Sequence, residues 1–288
     1  MKAFLFSLMG CFLLIQIPVS GATRYTVAQD GTGDFKTIQA AFDAVPEHNR
    51  ETILIYVKKG RYHEKLVLDS TKDHVCLIGE DANTTRVVYD DHTGKQLPDG
   101  SLINTYNSQT FFLKADDFLA VHIGFENNAG LTAGQAVAVR VQGDRAVFYQ
   151  CRLIGFQDTL FTSGDNSRGY FRNCTIEGST DFIFGSATVV FDSCTLISKK
   201  NSHVTAASTP ADHAYGYVFR HCTLTADSTI TKVSLGRPWR PYASVVYLYC
   251  YLGKHILPQG WDNWKNPANE KTARYAEYKN EGPGAEGQ

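Results

Sequence analysis

No excess of charge of either sign marks this chain: 28 lysines and arginines stand against 29 aspartates and glutamates, a net charge of -1. That balance excludes the basic face used for nucleic acid and the polybasic arm used for membranes, so any charged ligand has to be met locally. Past the N-terminus no apolar run approaches the roughly 18 residues of a membrane span, and the mature chain is not expected to cross a bilayer. Cysteines never occur as C-x-x-C, and His203, His213 and His221 show no ligand spacing, which argues against zinc. The GTG at 31–33 lacks both the G-x-G-x-x-G pattern and the Walker lysine of a phosphate loop. Helical periodicity is scarce as well, leaving little room for the crossover helices of βαβ units. What remains, over 288 residues that are 43% hydrophobic and 20% charged, is an ordinary globular composition with ample material for a core.

The N-terminus has the order of an export signal: Lys2, an apolar run from Ala3 to Val19, then the small residues Ser20, Gly21 and Ala22. Residues 1–22 are read as a signal peptide and 23–288 as one domain, giving a secreted or periplasmic protein. A lipid anchor on Cys11 is the alternative, weakened by the Phe, Leu, Leu and Ile that follow it.

Six cysteines lie beyond the signal, at 76, 151, 174, 194, 222 and 250. An even number in an exported chain suggests disulfides. Five of them, however, share one local pattern, YQCRL, RNCTI, DSCTL, RHCTL and LYCYL, at intervals of 23, 20, 28 and 28 residues. Such intervals mark structural repeats, and each unit is a short strand rich in Val, Phe, Tyr, Thr and Leu bounded by turn residues. The pattern predicts a parallel β-helix, each coil lying on the last about 4.8 Å away with equivalent side chains stacked inside. Thiols suit that interior as small hydrophobes, and stacked side chains pointing one way make poor disulfide partners. Mostly free thiols are expected, Cys174 and Cys194 being the one pair for which a bridge stays open. Near the start, Ile38, Ala41, Phe42 and Val45 fall at helical spacing, with Asp34 or Thr37 as cap and Pro46 as stop, a short helix suited to closing the coil's end. From Trp261 onward the repeat fades, and irregular wrapping with a flexible tail is expected.

Asp158 stands seven residues after Cys151, and Asp181 seven after Cys174. Equal offsets put the two on neighbouring coils about 5 Å apart. At that distance like charges repel by about 3 kcal/mol for an effective dielectric of about 20, or roughly two pKa units. One of the pair should hold a proton near neutral pH, an acid beside a base or nucleophile. The same spacing suits a retaining glycosidase, and two turn aspartates that merely align would also satisfy it. The neighbours narrow the choice. Gln157 precedes the first aspartate and Gln135 lies in GQAVAVR, amides apt for an oxyanion, while Arg237 in SLGRPWRPY would keep a carboxylate ionised. Asp90-Asp91 and Asp116-Asp117, pairs that would matter to a calcium-dependent lyase, read as solvated turns.

At these residues the chain resembles the pectin methylesterases, carbohydrate esterases that remove methyl groups from polygalacturonate. The resemblance runs through VAQDGTGDFKTIQAAFDAVP, GRYHEK, QTFF, GQAVAVR, GFQDTLF, DFIFG, LGRPW, GWDNW and EYKNEGPGA, nearly the whole mature sequence. It implies an all-β fold, a single-stranded right-handed parallel β-helix without cofactor or metal, expected as a monomer acting on methyl-esterified homogalacturonan (pectin). Carried over position by position, Asp181 in DFIFG would be the nucleophile and Asp158 in QDTL the general acid, then base. Gln157 and Gln135 would hold the oxyanion, and Arg237 would orient Asp181, with Arg237 and Gln135 also touching substrate. Trp239 would stack on a sugar ring, Phe161 and Phe184 would line the same groove, and Thr110 in QTFF would add a contact. Gly60, Tyr62 and Glu64 read as structural. Phe161 stands where tyrosine is common in the family, GPGA lies closer to the C-terminus than usual, and no inhibitor-like helical pro-domain precedes the catalytic region, a compact, bacterial-style arrangement. A pectin depolymerase of the same architecture, an esterase or thioesterase for another acyl group, and a non-catalytic carbohydrate-binding β-helix remain as competing readings.

Overall fold

The computed structural model describes residues 23–164 and 166–286, and the expected signal at 1–22 lies outside them. Short strands rich in β-branched and aromatic residues assemble into three parallel sheets of ten, eight and seven strands. The chain visits the three faces in turn, the winding of a parallel β-helix. The ten-stranded sheet opens with Arg24–Val27 and closes with Arg274–Tyr278, so regular coils extend well beyond the segments marked by cysteine.

The cysteines follow a corner that recurs on successive coils. His122, Gln150, Asn173, Ser193, His221 and Tyr249 all take φ between 52° and 56°, the left-handed conformation that bends the strand of one sheet into that of the next. The residue after each corner points inward: Ile123, Cys151, Cys174, Cys194, Cys222 and Cys250, all buried. The six cysteines among the described residues are free thiols, Cys174 and Cys194 included. Instead of bridging, ladder thiols donate to carbonyls, as Cys174 Sγ does to Phe148 O at 3.3 Å and Cys194 Sγ to Phe171 O at 3.4 Å.

Beside the thiols runs an aromatic stack set by strand register, Phe148 opposite Phe171, then Phe191, Phe219 and Tyr247. Centroid spacings of 4.6, 5.1, 4.5 and 4.4 Å follow the strand spacing. Each ring contributes about 1.5–3 kcal/mol through burial, and each stacked pair roughly 0.5–1.5 kcal/mol more.

The N-terminal cap is the helix Ile38–Asp43, whose buried face is Ile38, Ala41 and Phe42. Thr37, rather than Asp34, is the N-cap, its Oγ1 accepting from Ala40 N at 3.2 Å. The Glu64 carboxylate accepts from the amides of Ile38 and Gln39 at 3.0 and 2.9 Å, and the Tyr62 hydroxyl donates to Lys58 O at 2.8 Å. These contacts are a structural account of GRYHEK. The C-terminal region departs from the expected irregular wrapping. After a loop it returns as Arg274–Tyr278, paired with Ser244–Leu248 as one more rung, because the sheet edge left by the previous coil offers unpaired backbone groups.

Six buried thiols make a direct test. Burial raises the Cys76 thiol to about 11 and that of Cys174 well above its ordinary range. The folded protein should leave Cys76, Cys151, Cys174, Cys194, Cys222 and Cys250 unreactive toward a thiol-specific chromogenic reagent at neutral pH. All of them should react in guanidinium without any reductant, whereas a requirement for reductant would show bridges.

Candidate active site

Register places the two aspartates. Strands Leu160–Thr162 and Ile183–Gly185 pair in parallel with Leu160 opposite Ile183. Asp158 and Asp181, each two residues upstream of that pair, therefore hold matching positions one strand spacing apart, about 4.8 Å. The amide of Asp158 donates to Thr180 O at 3.1 Å and that of Asp181 to His203 O at 2.9 Å. Both aspartates have positive φ, 66° and 47°, a conformation that costs a non-glycine residue on the order of 1 kcal/mol. After the second, Gly185 at φ 121° presses against the coil before it, where a Cβ would meet Thr162 O at 1.9 Å, so only glycine fits.

The two carboxyls have different company. Arg237, on strand Ser234–Pro238, grips Asp181 bidentately, Nε to Oδ1 at 3.0 Å and Nη2 to Oδ2 at 2.7 Å. That strand lies two rungs from Asp181's own, with Ala206 opposite Arg237 and Phe184 opposite Ala206. Asp158, equally buried, has no such fork. Burial, then the neighbouring Asp181 charge, pushes it well above its ordinary 3.8, and Arg237 only partly opposes this. One aspartate is thus paired with a cation, while burial and a like charge favour the protonated form of the other.

Gln135 and Gln157 form a parallel bridge through their backbones and line the same cleft as both aspartates, a cavity of about 340 Å³. Neither side-chain amide is engaged by another group among the described residues, which leaves the NH2 donors available. Phe161 and Phe184 stack at 4.5 Å on the outward face of the sheet, and Trp239 meets Phe184 edge-on at 5.8 Å. This small cluster, separate from the interior core, floors the cleft.

A model of the family described as Pectinesterase matches residues 24–288. The chain belongs to the pectinesterase family. It is 36% identical over 276 residues to Pectinesterase 4 of Arabidopsis thaliana, covering 91% of this chain and 46% of that protein. The chain spans about half the length of the first curated pectinesterases it matches. Among solved structures, pectin methylesterase from carrot superposes with a TM-score of 0.85 at 33% identity, covering 93% of this chain and 85% of that one. A pectin methylesterase in complex with a hexasaccharide gives 0.81 at 29% identity, covering 92% and 90%.

Within this pectinesterase chain, Asp158, Asp181, Gln135, Gln157, Arg237, Phe184 and Trp239 line one cleft, with Phe161 stacked beneath its floor. Thr110 does not join them. It is fully buried just ahead of the strand Phe111–Leu113, and its hydroxyl donates to Glu126 O at 3.0 Å. Asp91, expected in a solvated turn, is buried and gripped by Lys65 at 2.6 Å and Lys95 at 2.9 Å. His203 is a half-buried packing group that pairs with Ser234 Oγ at 2.7 Å. Four residues without a sequence-based role complete the cleft: Thr105, Tyr106, Ala206 and Trp264. Trp264 belongs to the GWDNW motif and lays its ring 3.7 Å from the Arg237 guanidinium carbon, while Tyr106 rides a 3-10 turn, Thr105–Asn107, capped by Asn104.

The burial of Asp158 beside Asp181 has a measurable cost. Between about pH 3.8 and its raised folded value the native state holds a proton that the unfolded chain has released. Stability is fully present below that window and falls as pH rises through it, by about 1.4 kcal/mol per unit of displacement. Asp158→Asn should therefore melt about 2–4 °C above wild type near pH 7, with the gap closing near pH 3.5. A constant gap across that range would contradict the assignment.

Proposed function

We propose that this protein is an exported pectin methylesterase, a carboxylic ester hydrolase that converts methyl-esterified homogalacturonan to pectate and methanol. The observation that carries the reading is the asymmetric carboxyl pair: Asp181 locked to Arg237, and Asp158 one rung away, buried with no cation fork of its own, both in the cleft that presents Gln135 and Gln157. The printed names of the relatives and the hexasaccharide bound to one of them support the polymer as substrate.

In the proposed reaction an Asp181 oxygen attacks the ester carbonyl carbon, and the electron pair of the C=O bond moves to oxygen. Gln135 and Gln157 donate hydrogen bonds to that oxyanion. As the tetrahedral species collapses, the C–O bond to the methoxy group breaks and Asp158 gives its proton to the departing oxygen, releasing methanol. The resulting anhydride joins Asp181 to the uronate carbonyl. Asp158, now a carboxylate, takes a proton from water, whose oxygen attacks the uronate carbonyl carbon. Asp181 leaves as a carboxylate into the Arg237 fork, Asp158 keeps the proton taken from water and so returns to its starting form, and the new uronic acid releases its own proton to solvent. Trp239, edge-on to Phe184 at the cleft, offers a face for a sugar ring.

Methanol release from highly methylated pectin should be readily measured for wild type and fall by at least about 10³-fold in Asp181→Asn and Asp158→Asn. Gln157→Ala should lose about 10²–10³-fold in kcat with little change in KM, the signature of a donor that acts on the oxyanion. Pectin binding that leaves the ester content unchanged, or chain cleavage without methanol, would overturn the reading in favour of a binding module or a depolymerase.

A further inference from the structure

The floor of the cleft belongs to a longer column. Parallel register puts Phe112, Arg140, Phe161, Phe184, Ala206 and Arg237 side by side on the outward face of one sheet. The flanking Val139 and Val141 point into the core, so Arg140 projects on the same side as the rings of the floor. Its guanidinium carbon lies 4.3 Å from the Phe112 centroid and 5.3 Å from that of Phe161. Tyr106, which lines the cleft, packs edge-on against Phe161 at 5.7 Å. Arg140 thus extends the floor on the side away from Trp239.

Its electrostatic state sets it apart. The other arginine of this column, Arg237, has its charge matched by Asp181. Arg140 donates Nη1 to the Tyr106 carbonyl at 2.6 Å, its Nε is buried without an acceptor, and no carboxylate among the described residues pairs with it. A half-buried cation stacked on aromatic rings, with donors to spare, is suited to a planar anion. Two rungs separate the Arg140 strand from the Asp181 strand, about 10 Å along the coil axis. That distance is too long for the ester under attack and suits a neighbouring residue of the same chain.

We propose that Arg140 is a specificity-determining residue that binds the free carboxylate of a de-esterified uronate lying along the groove from the sugar being hydrolysed. The proposal rests on the pectin reading above and extends it. Each turnover turns a neutral ester into an anion, so a cation at this distance makes the product of one event a recognition element for the next. The enzyme then favours esters that lie close to an already exposed carboxylate.

Two measurements on the full-length protein test this. Calorimetric titration with unesterified hexagalacturonate should give about tenfold weaker binding for Arg140→Ala than for wild type, the change expected from one lost charge-assisted contact. Arg140→Lys, which keeps the charge, should recover part of the difference. In methanol-release kinetics, Arg140→Ala should raise KM about tenfold on partly de-esterified pectin and by less than about twofold on fully methylated oligomers, with kcat unchanged on both. Unchanged hexagalacturonate binding in Arg140→Ala, or an equal loss on both esters, would overturn the assignment and leave Arg140 as a support for the Tyr106 turn. Wild type that releases no methanol from either ester would sink the esterase reading instead, and the titration would still judge Arg140.

Discussion

Parallel backbone hydrogen bonds join each coil to the next, and Asp158, Asp181 and Arg237 take their positions from that ladder. A slip of one residue in a strand would exchange its inward and outward faces. The left-handed corners and the residues that follow them resist such a slip, since each corner seats one buried side chain, Ile123 or a cysteine, on the one below. The stacked rings from Phe148 to Tyr247 repeat the same spacing three residues before the cysteines. A rigid interior of this kind holds strained residues at its edge, and Asp158 and Asp181 sit there with positive φ.

Equivalent ladder positions would by themselves make the two aspartates alike. The difference between them comes from a third coil pair, which brings Arg237 within bidentate reach of Asp181 and leaves Asp158 to burial and like-charge repulsion. Two groups of one chemical kind are thereby set apart, one ion-paired with Arg237 and the other pushed toward its neutral form by burial and the neighbouring charge. Trp264 then covers the guanidinium from a segment outside the coils, while Tyr106 and Arg140 carry the floor the other way.

Much of this was legible in the sequence, for particular reasons. The cysteine intervals reported the coil period because the ladder needs a small apolar side chain at one place per turn. The shared seven-residue offset reported the aspartate pair because no insertion separates corner from site in those two coils. The N-terminal coils were less visible, since Ile123 rather than cysteine fills the ladder position there. The surroundings of Thr110 were also not visible, since its hydroxyl is met by the Glu126 carbonyl of a different sheet.

The sequence by itself determined the repeat, the all-β class, the family and the two acids at matching offsets, because these are periodic or local properties written in spacing. Only the tertiary structure decided which acid is paired with Arg237, that Thr110 is buried against the Glu126 carbonyl, that the C-terminal segment returns as a strand, and that Tyr106, Arg140 and Trp264 gather along the groove. Those features depend on contacts between groups far apart in the chain, 56 residues in the case of Asp181 and Arg237. Loops of unequal length separate them in sequence, and the closeness arises only when the coils stack.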